Sequence, residues 1–461
     1  MGKNDDRSVM DTPAGQRLGT RRIARLWAPL AATWLMMSLE GPFLAAVIAR
    51  MPDPKFNLAA YGVAFAFAII VEAPVIMLMS ASTALVDCAH NYRKLRNFTV
   101  VLNVIVTVAM LVVLFGPVFD FIVRDLMNLP DPVADLIHGA LILLIPWPAA
   151  IGFRRFYQGL LIRDNLTRRV AYGTIIRLSS VVLTALLLHT VTELPGSHIG
   201  AAALSVAVIL ESIASWFMVR GTVRRLLKNN ETGECEWVLS YGGIANFYYP
   251  LALTSVISLA VHPVVTFFMG HARYPVESLA VLPVLNALTF IFRSVGLSFQ
   301  EVVIVLIGRG REHLVELGRF AFWLAVIASG ILTLIALTPL SRVWYETISG
   351  LSPELTAFAL TPTRILMLLP ALSVLLSFQR GFLVHARRTG PIIWATVVEM
   401  GGIVVVLLMT IHWFGVVGAT AAAIAFMVGR VGGNLFLVPP CLRTQRSDTA
   451  QNGTLSPQNE I

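Results

Sequence analysis

Around twelve stretches of this chain are each long and apolar enough to cross a bilayer core, and that narrows the fold more than any motif does. A hydrocarbon layer of roughly 30 Å needs about 20 apolar residues of helix. Lipid offers no partner for backbone N–H and C=O groups, so spanning segments are helices or closed barrels. Runs this continuous are not tilted barrel strands. Composition agrees: 56% of the 461 residues are hydrophobic, 13% are charged and the mean hydropathy is +0.75. That leaves too little polar surface to coat a water-soluble globule of this size. The chain reads as an all-α polytopic membrane protein.

The predicted spans are 26–48, 58–86, 99–123, 134–153 with an extension to 162, 171–189, 199–219, 247–270, 279–307, 320–340, 355–384, 392–412 and 417–438. Lys and Arg gather in alternate connections: Arg21, Arg22 and Arg25, then Arg93, Lys94 and Arg96, then Arg154, Arg155 and Arg163, and so on through Arg380 to Arg443 and Arg446. The opposite connections hold Arg50, Lys55, Arg124, Arg273, Arg342 and Arg364. Such charges resist translocation, so both termini are expected in the cytoplasm. The net charge of +9 is therefore mainly a topology signal. Dispersed over several loops without interleaved aromatics, it does not describe a nucleic-acid surface. The sequons at Asn97, Asn165, Asn230 and Asn452 all fall on the expected cytoplasmic side. Cys88, Cys235 and Cys441 fit no metal-ligand spacing and read as small core or interfacial residues. The first apolar span is longer than a signal-peptide core, so no cleavable signal is expected.

A repeat organises these spans. Pro29 is answered by Pro250, Pro42 by Pro263 and Leu58-Ala59 by Leu279-Ala280, each 221 positions on. Gly159 with Gly381, Thr167 with Thr389 and Thr174 with Thr396 are 222 apart. One spacing held to within a residue across three segments implies two copies of one unit. Each copy has six helices and enters from the same side, so the two are related by an axis along the membrane normal. The expected division is a basic tail (1–24), an N-lobe (25–225), a linker (226–243), a C-lobe (244–441) and a disordered tail (442–461).

Ionisable groups inside spans are costly and mark function by default. They are Glu40, Glu72, Arg177 and Glu211 in the first half, and His262, Arg293, Glu301, Glu399 and Arg430 in the second. Glu72 matches Arg293 at 221, and Arg177 matches Glu399 at 222. Glu211 and Arg430 come near to a third such pair. Matched positions share one depth in the membrane, so these pairs either join the lobes as gates or pair within their own lobes. Glu40-Gly41-Pro42 combines a carboxylate with a carbonyl freed by proline, a place for a proton or sodium or simply a kink. His262-Pro263 takes the matching place in helix 7. Trp34, Tyr61, Phe65, Phe67 and Phe292 either line a path or pack in the core and against lipid.

The chain resembles the multidrug/oligosaccharide-lipid/polysaccharide (MOP) transporter superfamily, and within it the progressive ankylosis protein family. The resemblance is carried by Leu58-Ala59-Ala60-Tyr61-Gly62 with Glu40 upstream, Tyr249-Pro250-Leu251-Ala252-Leu253 and His262-Pro263-Val264-Val265. It continues in Pro362-Thr363-Arg364-Ile365 and Gly415-Val416-Val417-Gly418-Ala419-Thr420. It implies twelve transmembrane helices as two pseudo-symmetric six-helix bundles, MATE-like, around a V-shaped cavity lined by helices 1, 2, 7 and 8. Glu40, Pro42, Glu72, His262, Arg293 and Glu301 would then lie on the substrate or ion pathway. The family is associated with export of polyvalent anions. This chain departs from it where His262 replaces an arginine, and where Arg177 and Glu399 replace an acid and a base, a swap that favours contact between those two.

The expected function is alternating-access export of a small organic or phosphate-containing anion by a monomer in the cell membrane. No cofactor is implied, and the coupling ion would be a proton or sodium. The alternatives are a cation-coupled multidrug exporter and a lipid-linked saccharide flippase. A membrane-embedded enzyme is disfavoured, since no His-Glu-x-x-His, Gly-x-Ser-x-Gly or phosphate loop is present.

Overall fold

A computed structural model describes residues 18–164, 166–228, 238–307, 313–386, 388 and 390–453. Among them eleven helices are long and apolar enough to cross a bilayer, and a pair bent by 42° supplies a twelfth pass. The N-lobe holds α1 (Thr20–Ala49), α2 (Pro54–Leu85), α3 (Ala89–Leu114), α4 (Asp131–Arg163), α5 (Arg168–Val191) and α6 (Gly196–Lys228). The C-lobe holds α7 (Tyr241–Gly270), α8 (Pro275–Leu306), α9 (Leu314–Leu337), α10 (Pro353–Leu366 continued by Leu369–His385), α11 (Gly390–Trp413) and α12 (Gly418–Gln445). In each lobe the second, fourth and sixth helices pack together and the fifth lies on the sixth. Outward-facing Val101, Val104, Ile105 and Val108 of α3 are exposed, as an apolar face turned to lipid should be. The chain is a multi-pass membrane protein with an all-α, two-bundle architecture.

The duplication shows in the irregularities, which are more telling than the helices. The α1 helix breaks at Leu39 and α7 at Ala260, 221 apart and each just before a proline, Pro42 or Pro263. Left-handed residues precede α2 and α8 at Asp53 (φ 49°) and Tyr274 (φ 56°), again 221 apart and each followed by proline. Single π-helical turns stand at Phe121–Leu126 and Val343–Ile348, 222 apart. Regular helix needs no special cause, whereas a strained or broken turn persists only where the surroundings impose it.

The lobes exchange half-helices at the basic end. The half of α1 before the break, Thr20–Ser38, packs chiefly on α8 of the other lobe, with Leu18 and Ile23 buried against Phe299 and Val303. There the Trp27 indole N–H donates to the Val295 carbonyl (3.3 Å) and to Ser298 Oγ (3.0 Å). The first half of α7, Tyr241–Leu259, lies in turn on the α2 interruption, where the Tyr248 hydroxyl donates to the Pro74 carbonyl. Trp27 and Tyr248 are 221 apart, and so are Pro74 and Val295, so the two straps are symmetry mates. At the opposite end α2 meets α8 directly. A Cβ on Gly62 would come within 2.8 Å of Pro283 Cγ, so the backbones approach where only glycine fits.

Several expected boundaries shift. Helix begins at Thr20, and Leu18 and Ile23 are buried, so the packed chain starts before residue 25. The linker shortens because α6 runs to Lys228 and α7 starts at Tyr241, capped by Ser240 Oγ accepting from the Gly243 amide (2.9 Å); residues 229–237 lie outside the described set. The last helix extends to Gly453, correcting the expectation of a disordered tail from 442. Buried Thr444, beside Arg388, continues its packed face; residues 454–461 are not described. Cys88 is disulfide-bonded and Cys441 is a free thiol.

Candidate functional site

The intramembrane charges fall into two separate groups, one inside each lobe. In the N-lobe the break at Leu39 turns Glu40 inward from α1. It meets Arg177 of α5 in a forked contact, Nη2 to Oε2 at 2.7 Å and Nε to Oε1 at 3.3 Å. This bidentate geometry is the strong form of a guanidinium–carboxylate pair. One turn apart on α4, Arg154 and Gln158 point the same way. They donate to the two oxygens of Glu211 on α6, at 2.7 and 3.2 Å. Among the described residues the Glu72 side chain of α2 has no hydrogen bond or ion pair, and its Oε2 is buried. Arg154, Arg155 and Arg177 are within its electrostatic reach.

In the C-lobe Arg430 of α12 donates to Glu399 of α11 at 2.8 Å. Arg380 of α10 donates to Thr396 Oγ1 at 3.1 Å, and no carboxylate among the described residues pairs with it. Arg293 of α8 makes no hydrogen bond or ion pair among the described residues, its Nε is buried, and its electrostatic neighbours are Arg430 and Glu399. His262 lies within reach of Arg293. The unpaired charges Glu72 and Arg293 thus occupy matched places in the repeat.

None of the three expected cross-lobe pairs forms in this conformation. Arg177 takes Glu40 rather than Glu399, Glu399 takes Arg430, and Glu211 takes Arg154. Glu72 and Arg293 each face their own lobe. The reason is reach: a buried charge needs a partner within hydrogen-bonding distance, and neighbouring helices of one bundle supply it more closely than the facing bundle. Glu301 lies past the Ser298 break, exposed on α8 and apart from both groups. Phe67 lines an apolar cavity of about 430 Å³ with Pro263, Phe267, Phe268 and Val404, at the seam between the lobes and away from the paired charges.

Arg154, Arg155 and Arg380 are additions that the charge bias had assigned to the basic loops. Arg154 is 4% exposed, well inside α4. The Arg-x-x-x-Gln spacing of Arg154 and Gln158 on one helix face was the available signal, together with the 222 spacing from Gln158 to Arg380. Summed over these residues, the N-lobe group has three carboxylates (Glu40, Glu72, Glu211) and three guanidiniums (Arg154, Arg155, Arg177), and is neutral. The C-lobe group has Glu399 against Arg293, Arg380 and Arg430, a surplus of two positive charges with His262 counted neutral.

Known structures share this architecture. A multidrug resistance MATE family transporter of the MOP superfamily, in an inward-facing conformation, aligns with TM-score 0.62 at 13% identity over 98% of this chain and 99% of that one. Lipid II flippase MurJ, in an inward closed conformation, aligns with TM-score 0.70 at 13% identity over 94% of each chain. A MOP superfamily transporter from Pyrococcus furiosus aligns with TM-score 0.62 at 13% identity over 93% of this chain and 96% of that one. No protein-family profile and no curated protein matches the sequence. At this identity the likeness is one of fold, and the fold is MATE-like.

Proposed function

We propose that this protein is a secondary transporter that works by alternating access and exports a small organic or phosphate-containing anion across the cell membrane, its basic end facing the cytoplasm. The observation that carries the anion is the C-lobe surplus of two positive charges, with Arg293 and Arg380 lacking a carboxylate partner among the described residues. An unpaired guanidinium at membrane depth costs about 2.5–3.5 kcal/mol even on insertion scales. An anion that reaches this C-lobe group offsets that cost, which gives it a reason to bind there. Two bundles related by a repeat, on a fold shared with MOP superfamily transporters, support alternating access over an enzymatic role. Kinship with the progressive ankylosis family rests on the short motifs around Leu58, Tyr249 and His262.

Glu40, with the carbonyl of Ser38 freed by Pro42, and unpaired Glu72 are the groups placed to exchange a coupling proton or sodium. A lipid-linked anion is the second reading, favoured by the likeness to a lipid II flippase and by the apolar seam cavity of about 430 Å³. The test is flux into reconstituted vesicles of pyrophosphate, citrate, ATP and a cationic dye, each with and without a proton or sodium gradient. Gradient-dependent movement of an anion supports the reading. Movement of the dye alone refutes it in favour of a drug exporter, and movement of none of them, with transfer of a lipid-linked pyrophosphate, refutes it in favour of the second reading.

A further inference from the structure

Lys55 and Glu277 form an ion pair between the lobes, Nζ to Oε1 at 2.6 Å, at the end opposite the basic loops. The repeat spacing in this segment is 221, as Asp53 with Tyr274 shows, so Glu277 stands one residue past Val276, the match of Lys55, and the two carry opposite charge at adjacent places in the repeat. Equivalent points lie at equal depth and equal distance from the axis relating the copies. Lys55 and Glu277, one residue out of register, lie at nearly equal depth, and their contact is one between the lobes, where the helix starts of the two copies close on each other. Each stands in the first turn of its helix, after a left-handed residue and a proline that fix the direction of approach, Asp53-Pro54 and Tyr274-Pro275.

Beside the pair, Arg50 reaches across to the carbonyls of Thr347 and Ile348 at 2.7 and 2.8 Å. Beneath it, Gly62 lies against Pro283 and Gly41 against Ala287. A gate must open as well as hold. The Lys55 and Glu277 side chains are 33% and 15% exposed, so water can replace each partner as they separate. Arg154 and Glu211, 4% and 1% exposed, would be left as bare buried charges, which suits a fixed strut and not a gate.

We propose that Lys55 and Glu277 are the outer gate of the transport cycle, a pair that is closed in this conformation and parts when the cavity opens away from the basic end. The proposal rests on the alternating-access reading, but its test needs no substrate. Ala287, 6% exposed in the seam below the pair, becomes the reporter as Ala287→Cys. Its labelling by a membrane-impermeant maleimide added outside is read by mass on the peptide containing position 287. Lys55→Glu and Glu277→Lys should each raise the labelling rate about three- to tenfold by replacing attraction with repulsion across a partly hydrated pair. The double swap should return it to near the parent rate.

Glu277→Gln, which removes one charge without repulsion, should give a smaller rise of about two- to fivefold and guards against misfolding of the reversals. Unchanged labelling in all three single variants, or a double swap no slower than the singles, would overturn the gate. An empty flux panel with these labelling shifts would overturn the anion reading and leave the gate standing.

Discussion

Replacing Arg154 with methionine should destabilise the N-lobe more than almost any other single change in the chain. The pair it belongs to is closed, with a contact of 2.7 Å and side chains 4% and 1% exposed, so solvent screening offers no discount. Removing the guanidinium leaves the Glu211 carboxylate with Gln158 Nε2, at 3.2 Å, as its remaining donor. Breaking a buried pair from one side costs about 3–5 kcal/mol, because an uncompensated charge stays behind. For a lobe of roughly 200 residues that corresponds to a fall in melting temperature of roughly 6–20 °C. The double change Arg154→Met with Glu211→Leu removes both charges and keeps the volume, and should recover most of the loss. The assay is thermal unfolding in detergent followed by size-exclusion retention. A melting point for Arg154→Met within about 2 °C of the parent, or a double variant as unstable as the single one, would refute the claim that this pair is a fixed internal strut.

Other consequences can be measured in the same preparations. Gly159→Ala places a Cβ 1.9 Å from Ser82 Oγ and 2.3 Å from the Met79 carbonyl, and should cost about 1–3 kcal/mol, whereas Gly401→Ala meets nothing within 4 Å and should be neutral or slightly stabilising by melting. Trp27→Phe and Tyr248→Phe each delete the strap hydrogen bonds at symmetric places and should cost about 1 kcal/mol apiece, adding within about 0.5 kcal/mol in the double variant. A large coupling energy would show that the straps do not act independently. Arg293→Gln should abolish anion flux while leaving the melting point unchanged or raised, since an unpaired buried charge is removed; a lowered melting point with intact flux would make Arg293 structural.

The sequence by itself determined the class, the number of passes and the duplication. Each follows from one-dimensional facts: length of apolar run against bilayer thickness, and a spacing of 221 or 222 that the breaks at Leu39 and Ala260 and the π turns repeat in three dimensions. It also identified most of the buried charges, because a charge in an apolar run is visible without knowing its partner.

The partners were decided by tertiary structure alone. Matched positions fix equal depth, but not which side of the helix a side chain leaves from, and a rotation of one residue, about 100° on a helix, separates a contact across the axis from one inside the lobe. Thus Arg177 found Glu40, and the contact between the lobes fell instead to Lys55, which had been counted among the loop charges, and to Glu277, which lies just before a predicted span. The crossing of the α1 and α7 half-helices onto opposite lobes was equally illegible, because an apolar face does not state which apolar face it will cover.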